Sequence, residues 1–126
     1  QGDVIVNPTQ KTAFESEIAQ ARALMSHCEL RVAFAHLERA HVIGQSFVIP
    51  HVLSHWLMFV IAVRQFQFLA AWGQLVRIAF GALGSAVGVV PIGNTGGSDV
   101  SMFKRMPIEP ELQDIIAGRA PNHCGR

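Results

Sequence analysis

From His41 to Ser98 the chain carries no Asp, Glu or Lys, and its only formal charges there are Arg64 and Arg77. A stretch of that length cannot stand in water as a set of exposed helices. It has to be covered by the rest of the chain, by another copy or by lipid. The remaining charges are crowded into the flanks. Across 126 residues there are 10 Lys+Arg and 9 Asp+Glu, a formal charge of +1, which excludes the clustered cations of a nucleic-acid footprint. With 50% hydrophobic and 15% charged residues, disorder is excluded as well. A single domain is expected, because a chain of this length withdraws roughly two thirds of its unfolded surface into one core.

Within the uncharged stretch, Ile78 to Ile92 carries Gly81, Gly84, Ser85 and Gly88 at the small-residue spacing that lets helices approach closely. The run is shorter than the roughly 20 residues a membrane span needs, and it ends at Pro91. Close packing in a core or against a second subunit is therefore expected, and membrane contact is disfavoured. Cys28 and Cys124 form no Cys-x-x-Cys pair and no secretory leader precedes the domain, so a reducing cytoplasm is the expected setting. Gln1-Gly2 is set aside from the fold reading as the remnant of a cleaved expression tag.

The pattern predicts an all-α fold. Asn7-Pro8-Thr9-Gln10 reads as a helix start, with Asn as cap, Pro where a missing N–H is harmless, and Gln10 placed to close a capping box. A first helix over 8–26 follows, with Phe14, Ile18, Ala21 and Met25 on one stripe, and His27-Cys28 breaks it. A second helix over 29–43 carries Leu30, Phe34 and Leu37, with Gly44 as its left-handed terminator. A third is expected from Pro50 to residue 65, apolar nearly all round as a central helix is, and a fourth over 68–86 with Trp72, Leu75, Val76 and Ala79 as its apolar line. Residues 87–126 are expected to be mostly extended, with a short helix over 109–117. Four antiparallel helices, as a bundle or as two stacked hairpins with the first tetratricopeptide-like, account for this pattern.

Glu38-x-x-His41 and His51-x-x-x-His55 each place two ligating side chains on one helical face. They lie on consecutive helices, His41 near the end of one and His51 near the start of the next, so an antiparallel hairpin lets all four converge. Three imidazoles and a carboxylate suit a divalent transition ion, Zn, Cu, Ni or Fe. The competing reading makes the histidines structural, hydrogen-bonded within a core. Glu38 needs a partner if buried, and His41, Arg39 and Arg77 are the candidates. A di-metal carboxylate centre would require a second Glu-x-x-His, which the chain lacks, although Glu15 or Glu17 offers one more carboxylate. The loop Gly93-Asn94-Thr95-Gly96-Gly97 is a weak anion-binding candidate, since it lacks a following Lys-Ser/Thr and its glycines suit turn geometry. His123-Cys124 offers a second, adventitious metal-binding pair.

Leu37-Glu38-Arg39-Ala40-His41, Gly44-Gln45, His51, His55-Trp56-Leu57-Met58, Gly73-Gln74 with Arg77, and Pro91-Ile92-Gly93-Asn94-Thr95-Gly96-Gly97 together resemble a family of small bacterial proteins, the domain-of-unknown-function family 3703. The resemblance spans most of the chain. It implies a compact cytoplasmic protein associated with heavy-metal-resistance gene neighbourhoods and carries no established activity. The expectation is thus a metal-binding helical protein, of uncertain standing as an enzyme, forming a homo-oligomer. Its alternative is a non-catalytic interaction module that binds a protein partner or itself.

Overall fold

The computed structural model describes residues 3–86 and 106–120, and these are helical: α1 Pro8–Ser26, α2 Leu30–Gly44, α3 Val48–Arg64, α4 Phe68–Ala86 and α5 Pro110–Ile116. The glycine-rich loop of residues 93–97, the apolar run beyond residue 86 and the pair His123-Cys124 lie outside the described residues.

The helices pack in chain order: α1 on α2, α2 on α3, α3 on α4, with α5 seated across α1 and α2. Among the described residues α1 and α4 do not meet, so the arrangement is two stacked hairpins, α1–α2 and α3–α4, and not a closed bundle. The core lies in the first hairpin and its junction with α3. Phe14, Ile18, Ala21 and Met25 of α1 meet Leu37, Ala40 and Ile43 of α2 and Met58 and Ile61 of α3. Leu112 and Ile115 of α5 and Ile5 of the N-terminal arm cover its edges.

The stops and joints differ from the expected ones in instructive ways. Asn7 Oδ1 accepts from Gln10 N at 3.1 Å, as an N-cap should, but Gln10 closes no capping box. Its side chain is buried and donates from Nε2 to Ile43 O at 2.7 Å, satisfying one of the carbonyls left over at the end of α2. Gly44 is therefore not a left-handed terminator. It remains inside α2, and the next residue, Gln45, is right-handed. A Cβ on Gly44 would stand 2.6 Å from Pro50 Cβ and 3.0 Å from Phe14 Cε2. What the position requires is closeness, not handedness.

Left-handed terminators occur elsewhere. Cys28 (φ 61) ends α1, Phe66 (φ 58) ends α3 and Gly118 (φ 77) ends α5. Each has the paired hydrogen bonds of a Schellman stop: Glu29 N to Leu24 O, Gln67 N to Ala62 O and Arg119 N to Asp114 O span the closing turns. α3 starts two residues before Pro50, which still lies in the first turn, where no intrahelical acceptor is lost.

The second correction concerns α4. Its apolar line does not face the core. Trp72, Leu75 and Ala79 are exposed, whereas Ala71, Gln74 and Arg77 are the buried residues. Hydropathy alone assigned the wrong face to the interior, because the groups that α4 turns inward are polar ones serving the site described next.

Candidate metal centre

The α2–α3 connection is only Gln45, Ser46 and Phe47, so the last turn of α2 lies beside the first turns of α3. That brings His41 against His51 and His55. Ring centroids of His41 lie 4.8 Å from His51 and 4.6 Å from His55, and those of His51 and His55 lie 4.9 Å apart. All three side chains are buried, and their ligating nitrogens lie within 4.8 Å of one another. Two nitrogens on one ion, each about 2.0–2.1 Å from it, stand at most about 4.2 Å apart. Closure therefore needs side-chain movements of under about 1 Å.

The second nitrogens are held. His55 Nδ1 donates to Gln74 Oε1 of α4 at 2.7 Å, and the His51 ring bonds the backbone of Gln45. A neutral imidazole has one N–H and one lone pair, so a ring that donates through Nδ1 presents Nε2 as an acceptor. The two Nε2 atoms face each other at 3.0 Å. A cation placed with them would be held by both lone pairs.

A proton is a poor candidate for that cation. Burial pushes His51 down to about 4, opposed by its backbone bond to Gln45. Burial, helped by the charges of His51 and Arg77 and opposed by the bond to Gln74, pushes His55 to about 3. At neutral pH both rings are therefore uncharged, which is the ligating form. Two donors about 2.05 Å from a common ion and 3.0 Å apart subtend roughly 90–95°, within the range of tetrahedral and square sites.

A Cβ on Gly81 of α4 would stand 2.9 Å from His51 Nε2 and 3.0 Å from its Cε1, so glycine is what lets α4 pack this closely on the His51 ring. An open groove of about 970 Å³, lined by Arg31, Phe34, Met58, Gln74 and Arg77 among others, reaches the α4 residues beside His55.

Of the four expected ligands, three converge. His41, His51 and His55 form the group, and among the described residues it is the only such group of histidine, cysteine and carboxylate side chains. Glu38, one turn before His41, is half-buried and is not among its members. Arg39 turns instead to Glu17 of α1 at 2.9 Å and to Glu109 and Glu111 at 3.5 and 3.4 Å. His36 takes the other oxygen of Glu17 at 2.6 Å. Glu17 is thereby committed to His36 and Arg39, Glu15 is exposed beside Lys11, and neither joins the His41, His51 and His55 group as a di-metal centre would need. Sequence reasoning missed Gln74 and Gly81 as parts of the site. The available signal was a lone amide and an arginine at i and i+3 in an otherwise apolar helix.

The family model for proteins of unknown function, DUF3703, matches residues 8–116. The chain belongs to that family. A search of curated proteins and a search of solved structures each returned no match. Among the described residues no helix is long and apolar enough to cross a membrane.

Proposed function

We propose that this DUF3703 protein is a metal-binding protein whose His41, His51 and His55 hold one divalent transition ion at the joint between its two hairpins. The observation that carries this reading is the convergence of three buried imidazoles with ligating nitrogens within 4.8 Å of one another, the Nε2 atoms of His51 and His55 lying 3.0 Å apart on rings whose other nitrogens are engaged. That is the outer-shell arrangement of metal-bound histidine, with a carbonyl oxygen fixing tautomer and ring orientation. Three neutral nitrogen donors favour Zn, Cu, Ni or Fe over the hard cations. The fourth position is free for water, for a substrate atom or for Glu38 after rotation. A cytoplasmic role in handling transition metals, including resistance to their excess, fits this donor set.

Elemental analysis of tag-free protein in a His123→Ala/Cys124→Ser background tests the site directly. The expected result is a near-stoichiometric ion, absent from the His51→Ala/His55→Ala variant. Gly81→Ala is the sharper probe, because alanine favours helix by about 1 kcal/mol while its methyl group takes the space beside His51 Nε2. Full helicity without the ion is expected. Well-folded parent protein that takes up no Zn, Cu, Ni or Fe on reconstitution would overturn the reading. The cellular role is tested by growth against graded metal, comparing cells carrying the parent chain with cells carrying the double variant.

A further inference from the structure

α4 is amphipathic in the inverted sense. Gln74 and Arg77 are buried, Gln74 against His55 of α3. Its outer face is Phe68, Leu69, Trp72, Leu75, Phe80 and Leu83, with exposures from 38% for Leu75 to 86% for Leu69. Phe66, in the turn before α4, extends the same patch at 80% exposure. Phe68, Trp72, Leu75 and Ala79 recur at the alternating four- and three-residue steps of a helix-pairing seam, and Leu83 follows one turn further on. Among the described residues α4 packs against α3 alone, so a helix of 19 residues has one neighbour.

We propose that the outer face of α4 is a homodimer interface, in which the α4 helices of two copies pack against each other across a twofold axis. Charge selects the occupant. Among the described residues, no outward-facing residue of α4 is ionised, so a partner with an acidic or basic face would bury unpaired charge against it. The exposed faces of α1 and α2 carry such charges, Lys11 and Glu15 on α1 and Arg31 on α2 among them, and the exposed apolar side chains of α3, Ile49, Trp56 and Val63, are fewer and reach only 56% exposure. The surface that matches this one is the same surface on a second copy, as an isologous contact requires. Area agrees. At about 200 Å² for a fully exposed large side chain, the exposed fractions amount to roughly 900 Å². That exceeds the roughly 300–600 Å² of the largest apolar patch on a typical monomer and matches the roughly 800 Å² each partner brings to a standard interface. Pairing would also give α4 its second neighbour, joining two α3–α4 hairpins into a four-helix layer. None of this depends on the metal centre.

Analytical ultracentrifugation of the full chain, with and without chelator, reads the assembly. The expected result is a dimer at roughly 10 μM, and at least a hundredfold weaker self-association in Leu69→Glu and Trp72→Glu with far-UV circular dichroism unchanged. These side chains are already exposed in the protomer, so the charges do not disturb its core. Should a glutamate variant lose helicity, Trp72→Ala must still weaken the dimer at least tenfold. In a Cys28→Ser/Cys124→Ser background, Leu75→Cys should cross-link 75 to 75. A monomer throughout the concentration range overturns the proposal, as does a dimer indifferent to all three substitutions. A monomeric chain that floats with phosphatidylcholine–phosphatidylglycerol vesicles would assign the face to lipid and overturn it equally.

Discussion

The two hairpins use the same secondary structure with opposite polarity. In α1–α2 the apolar residues meet inside and charges lie outside, where Glu17, His36 and Arg39 bridge the helices at 2.6 and 2.9 Å. In α3–α4 the polar His51, Ser54, His55, Gln74 and Arg77 are buried beside the apolar Leu57, Met58, Ile61 and Ala62, and the large hydrocarbon side chains of α4 face outward. The first hairpin is stabilised by removing apolar surface from water. The second contains buried polar groups that are stable only when every one is satisfied, and apolar groups that are stable only when something covers them. It is the hairpin whose stability depends on what binds it.

Several measurements can break that contrast. Leu37, fully buried in the first hairpin, should be the most sensitive position: Leu37→Ala is expected to cost about 2–5 kcal/mol in urea unfolding, whether or not an ion is present. An effect under about 1 kcal/mol would mean that the first hairpin does not carry the fold.

Acid should act on the second hairpin. For chelated protein, the folded values of about 4 for His51 and about 3 for His55 lie below the unfolded value of about 6.5. The unfolded chain therefore binds more protons in that window, and stability falls as the pH drops through it. By pH 5.5 the loss should reach about 1.4 kcal/mol for each ring. His51→Phe/His55→Phe, measured by thermal melts across pH 5 to 8, should flatten the dependence, and an unchanged slope would reassign it to other groups.

Chelation should follow in size. An ion present at about 100 times its dissociation constant contributes about 2.7 kcal/mol. Hydrogen exchange should show the loss in the amides of α3 and α4, with those of α1 largely spared. Removing the Gln74 acceptor in Gln74→Leu should weaken the ion about 10- to 100-fold by competition titration, and Gln74→Glu should restore it. The smallest effect belongs to the ion pairs of the first hairpin. Arg39→Ala should cost no more than about 1 kcal/mol and diminish further in high salt.

Much of this was legible in the residues, for identifiable reasons. Asn7-Pro8 fixed where α1 begins, and the stripe from Phe14 to Met25 fixed its buried face. The spacing of His51 and His55 and the nearness of His41 to the intervening turn were enough to bring three imidazoles together. The orientation of α4 was not legible, because hydropathy records that Trp72 and Leu75 avoid water without recording what excludes it. Gln74 was not legible as a partner of His55, since an amide in a helix ordinarily reads as surface. Gly44 shows the same limit. Its place after an apolar stripe suggested a change of backbone handedness, whereas its role is set by Pro50 and Phe14, six residues later and thirty earlier.

Gly44 bears on the molecule as a mechanism. It allows the two hairpins to close to van der Waals contact at Pro50, with His41 on one side of that joint and His51 and His55 on the other. An ion gripping all three would act as a clasp, turning coordination into torsional stiffness between the halves. A side chain at position 44 would pry the joint open and pull the donors apart without touching any of them. The angle between the hairpins and the occupancy of the site would then be two readings of one coordinate. Whatever else flexes that joint would load or release the metal.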